Sequence, residues 1–98
     1  MQQAIERIKR SLQAYREGST SKILARIELV SAFKVVSQTL RIDANVLQSL
    51  VEAFIDRVLV QLNEGKLTME EAIAELSKVY GAAHRDDAEI LTYMAEFQ

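Results

Sequence analysis

The single histidine, His84, stands in the run His84-Arg85-Asp86-Asp87. An imidazole beside carboxylates is a combination that serves as a general base or a metal ligand. Four consecutive residues point in different directions, however, and a ligand set has to converge. A polar connection between two helices accounts for the run, and it is read so here. A phosphorelay histidine needs an exposed helical face, whereas His84 falls beside an expected helix end. Glu70/Glu71 and Asp86/Asp87 are acidic pairs at expected helix starts, where carboxylates suit the positive end of the helix dipole. The Glu-x-x-His spacing of di-metal bundles is missing, as are a glycine-rich phosphate loop and an assembled Ser-His-Asp set. With no cysteine in the chain, neither a thiolate metal site nor a disulfide framework is available. The expectation is a protein without cofactor, metal or enzymatic activity.

One stretch could read nucleic acid. From Val36 to Val51 the apolar positions match the core of a helix-turn-helix, with Asp43, Asn45, Gln48, Ser49 and Glu52 on the face a reading helix would present. Asn and Gln suit base edges, but two acids with no Lys or Arg meet a polyanion badly. Arg41 also takes the turn position where glycine is commonest. Any sharp corner between two amphipathic helices produces the same pattern, so a DNA-binding regulator using residues 36–51 is the second choice.

These residues must be held by helices. The chain has 98 residues, 49% hydrophobic and 27% charged, with three glycines and no proline. Such a chain is globular, and with so few breakers its helices run long. Its length fits one domain, residues 1–98. No apolar run approaches the ~20 residues of a membrane span, and the first residues lack the apolar core of a secretory signal. A soluble, cytoplasmic protein is expected. The net charge of −2 hides a gradient: residues 1–42 hold eight Lys/Arg against three Asp/Glu, and residues 43–98 hold four against eleven. Basic and acidic helices packed side by side would compensate.

The first helix should carry Ile5, Ile8, Leu12 and Tyr15 on one stripe, ending at Gly18. Ser19, Thr20 and Ser21 offer N-caps for the next. That second helix, about residues 20–41, has one face of Ala25, Leu29, Ala32, Phe33, Val36 and Leu40. Ile23, Ile27 and Val30 form another stripe, with Leu24 and Val35 elsewhere again. Apolar on so many sides, it is expected in the centre, surrounded by helices. The third helix, about residues 43–63, pairs its apolar residues as Val46/Leu47, Leu50/Val51, Phe54/Ile55 and Val58/Leu59, then Leu62. Gly65 should close it, and Thr68 with Glu71 forms a capping box for the fourth helix. That helix turns Met69, Ala72, Ile73, Leu76, Val79, Tyr80 and Ala83 inward. Ile90, Leu91, Met94 and Phe97 belong to a short last helix.

The fold class that follows is all-α: a bundle of four or five helices around a central long-helix hairpin. Three short helices with narrow stripes are too little to cover both long ones. The surplus apolar stripe Ile23, Ile27 and Val30 therefore points to a protein partner, with Lys22, Arg26, Lys34 and Arg41 as its basic fringe. The expected role is a small non-catalytic binding or regulatory protein acting as a homodimer. An adaptor, antagonist or assembly chaperone would fit; nucleic acid and membrane are not expected partners.

Overall fold

In the computed structural model, residues 2–36, 44–82 and 87–96 are described. They form five helices: α1 (Gln2–Arg16), α2 (Lys22–Val36), α3 (Ala44–Asn63), α4 (Met69–Ala82) and α5 (Asp87–Glu96). No strand occurs among the described residues. The expected all-α bundle is the architecture found.

Two of the connections are set by glycine. Gly18 has φ 79° and Gly65 has φ 78°, left-handed values at which a Cβ is strained. After α1, Gly18 N–H bonds back to the Tyr15 carbonyl at 3.2 Å and Ser19 N–H to Ala14 at 2.8 Å. After α3, Gly65 N–H bonds to Leu62 at 3.3 Å and Lys66 N–H to Gln61 at 2.9 Å. Both ends are therefore Schellman motifs, which satisfy carbonyls that the helix leaves open. The next helix starts at once in each case. Leu24 N–H donates to Ser21 Oγ at 3.2 Å, making Ser21 the N-cap of α2. At α4 the capping box is complete: Glu71 N–H donates to Thr68 Oγ1 at 3.1 Å, and Thr68 N–H donates to Glu71 Oε1 at 2.9 Å.

Helix α1 lies on α2 and α4, and α3 lies on α2 and α4, so the first four helices close a ring. Helix α5 is laid against both α3 and α4. Buried residues from all five helices merge into one core, including Ile8 and Leu12, Leu29 and Phe33, Phe54 and Leu59, Leu76 and Tyr80, and Ile90. Phe33 and Tyr80 meet edge to face at 5.4 Å, and the Tyr80 hydroxyl donates to the Leu29 carbonyl of α2. Tyr80 thus reaches from α4 across the ring. Burial raises its pKa well above the ordinary tyrosine value, opposed by the nearby Arg7 charge.

α5 is secured by polar contacts as well as apolar ones. Tyr93 donates to the Glu75 carboxylate of α4, lies under Lys78 Nζ at 5.8 Å and packs edge to face on Phe54. Desolvation, the Glu75 hydrogen bond and the Glu75 charge together raise the Tyr93 pKa. From α3, Arg57 Nη2 donates to the Met94 carbonyl at 3.4 Å, placing a cation at the negative end of α5.

α2 is the exception to the expected arrangement. It packs on α1 and α3 and lies at the side of the bundle, not surrounded by helices. Its apolar surplus is not absorbed within the chain.

Candidate interaction surface

Ala25, Leu29, Ala32 and Phe33 turn one face of α2 into the core, each 2% exposed or less. At about 100° per residue, the opposite side carries residues 23, 27, 31 and 35 in a four-residue ridge, with Leu24 beside it. The exposures of Ile23, Leu24, Ile27 and Val35 are 60, 56, 57 and 59%. Ser31, also exposed, is the one small side chain on the ridge. From Ile23 to Val35 the ridge runs about 18 Å. Its apolar area is on the order of 400 Å², the size that on a monomer is often functional.

A groove lies along each side of α2. Towards α3, Ile27, Val30 and Ser31 line a groove of about 230 Å³ together with Arg26, Lys34, Gln48 and Glu52. Towards α1, a groove of about 320 Å³ is walled by Arg7, Arg10, Ser11, Thr20 and Glu28. Both borders hold both signs of charge. Lys22 Nζ and Arg26 Nη1 approach Asp56 Oδ1 at 3.1 and 3.6 Å, and Arg7 Nη2 approaches Glu28 Oε2 at 3.4 Å. These pairs are largely solvated, so they guide helix placement more than they stabilise it. With Lys22 and Arg26 beside Asp56, and Lys34 lining a groove with Gln48, α2 runs antiparallel to α3.

The residues expected on the binding stripe divide. Ile23 and Ile27 lie on the exposed ridge. Val30 does not: it is 8% exposed and turned towards α3, because one further residue of helix rotation carries it off the core face and onto the inter-helix seam. Lys22 and Arg26 form the bridge to Asp56, and Lys34 borders the α3 groove. Arg41 lies outside the described residues, as does His84. Two ridge members, Leu24 and Val35, belonged to neither stripe in the sequence pattern. Only the orientation of α2 joins them to Ile23 and Ile27.

Of the helix-turn-helix stretch, residues 37–43 are not described. In its second half Leu47 and Val51 are buried, while Gln48 Nε2 donates to Glu52 Oε1 at 3.0 Å, tying two of the would-be reading side chains to each other. Val46 and Leu50 are 53 and 40% exposed. They lie two residues, about 200°, around α3 from Gln48 and Glu52, and so form a separate, smaller apolar spot.

Among the described residues no three His, Cys, Asp or Glu side chains are placed to hold a metal ion, and no helix is long and apolar enough to cross a membrane. No known protein family, curated protein or solved structure matches the chain. The α2 surface is the feature with the clearest physical demand for a ligand: an apolar ridge between two grooves of mixed charge.

Proposed function

We propose that this is a non-catalytic protein-binding protein that acts as a homodimer, with the outer face of α2 as its working surface. The observation that carries the reading is the exposure of Ile23, Leu24, Ile27 and Val35 along one side of a single helix. Leaving that much contiguous apolar area in water is unfavourable at roughly 25 cal/mol per Å², and covering it drives association. A second copy is the simplest cover, since one self-complementary patch suffices for a two-fold dimer. The basic fringe of Lys22, Arg26 and Lys34 belongs to the rim, where charge sets orientation and encounter rate more than affinity.

Light scattering across a concentration series tests the proposal. A mass of two chains at micromolar concentration is expected, reduced to one chain by Ile27→Asp with helix content unchanged. A single-chain mass at high micromolar concentration defeats it. Loss of the helical spectrum in Ile27→Asp would instead assign Ile27 to the intrachain core.

A further inference from the structure

Resting on that reading, we infer that the two copies pair through α2 in antiparallel fashion, with the two-fold axis passing between residues 27 and 31, so that Ile27 of each copy seats over Ser31 of the other. Three observations point to this arrangement.

The first is shape. In a two-fold antiparallel pair, residue i faces a residue at a fixed sum. A sum of 58 centres the ridge on itself: Ile27 faces Ser31 and Ile23 faces Val35. Large then meets small twice at the centre, and large meets large only towards the ends. All four positions are exposed, so none has to leave the core to make the contact. In a parallel pair each residue faces its own copy, stacking Ile27 on Ile27 and leaving a gap where the two serines meet. Ridge packing favours the interdigitated alternative.

The second is charge. A parallel pair would bring the two helix N-termini together. The antiparallel pair separates the N-termini and sets Lys34 of one copy level with residue 24 of the other, between Lys22 and Arg26. It also carries Lys34 and Arg26 of one copy to either side of the level of Glu52 in the other, because Glu52 borders the same α2–α3 groove. On the other border, Glu28 of one copy comes to the Arg7 and Arg10 side of its mate. Each rim then offers an acid to bases of the other copy, Glu52 on one border and Glu28 on the other.

The third is area. A standard interface removes about 800 Å² from each partner. The apolar ridge supplies about half of this, and the mixed-charge walls of the two grooves supply a polar rim of the usual kind.

The cysteine-free chain allows a direct test by disulfide trapping. Ile27→Cys and Ser31→Cys chains are made separately, mixed, allowed to exchange subunits and oxidised. The 27–31 pairing predicts a disulfide-linked band of two chains in the mixture and none from Ile27→Cys alone. The two residues 27 would lie four positions, about 6 Å, out of register, which sets their Cα atoms roughly 8 Å apart, beyond the ~7 Å that a disulfide spans. A mixture of Ile23→Cys and Val35→Cys gives a second pair with the same sum. Self-linking of Ile27→Cys would show a parallel pair and overturn the inference. So would the absence of every cross-link in a protein that light scattering shows to be a dimer, and that result leaves the homodimer standing. A monomer by light scattering defeats the functional reading itself.

Discussion

α2 and α3 are alike in carrying apolar side chains on more than one side, and the bundle treats them in opposite ways. α3 touches α2, α4 and α5, and seven of its apolar residues, from Leu47 to Leu62, are buried. Of its large apolar residues only Val46 and Leu50, in its first two turns, stay exposed. α2 has α1 and α3 as main neighbours and leaves four large apolar side chains in solvent. The number of neighbours, more than the apolar pattern, separates a covered helix from an uncovered one. A helix apolar all round, with cover on one side only, carries an unmet demand for a partner.

The largest effect should come from the covered helix. Phe54 is fully buried on α3 and contacts the Tyr93 ring, so Phe54→Ala should cost about 3–5 kcal/mol in denaturant unfolding. A cost under about 1 kcal/mol would remove α3 from its place in the core.

Smaller losses are expected at the links that hold the ring together. Tyr80→Phe keeps the edge-on contact with Phe33 but loses the hydrogen bond to Leu29, at a cost of about 1 kcal/mol. The same residue sets an alkaline limit. In the folded chain Tyr80 and Tyr93 hold their protons above the ordinary tyrosine value of 10.0. Below that pH both folded and unfolded states keep the phenol protons, and stability is unaffected by them. Above it the unfolded chain gives them up first, so stability should fall as pH rises. Melting at about pH 9 and about pH 11 should show that fall, smaller in Tyr80→Phe than in the parent. At the fourth helix, Thr68→Ala removes one half of the capping box and should cost about 1 kcal/mol.

The smallest effect should come from the uncovered helix. Measured at a concentration where the chain is monomeric, Ile27→Asp should change unfolding stability by no more than about 0.5 kcal/mol, as for other exposed sites. A loss comparable to that of Phe54→Ala would erase the contrast between the two helices.

Helix ends were the part of this fold most readable in the sequence. Gly18, Gly65 and the Thr68/Glu71 pair act within a few residues of themselves, so their local chemistry is complete in the chain order. The inward stripe of α1 could be read for a similar reason, since charged residues alternate with it and leave one solution. For α2 the pattern allowed several orientations. Which apolar side turns inward is decided by Tyr80 and Phe33 meeting across 47 positions of sequence, and no periodicity within α2 contains that contact. For this reason the pattern sets Val30, a buried residue, on one stripe with Ile23 and Ile27 and leaves the exposed Leu24 and Val35 off it. The candidate surface was thus half readable: its helix and two of its residues, but not its edges.

The two glycine-closed corners also bear on how quickly the chain finds its fold. α1 with α2, and α3 with α4, are helical hairpins whose partners lie close in sequence, so most contacts form without closing long loops. The docking of α1 on α4, the Phe33–Tyr80 contact and the laying of α5 on α3 join more distant parts of the chain. Proteins of such local topology refold in microseconds to milliseconds, and a chain without proline lacks the tens-of-seconds isomerisation phase. Refolding from denaturant should therefore give a single fast phase per chain, and the proposed homodimer adds a slower one whose rate rises with protein concentration.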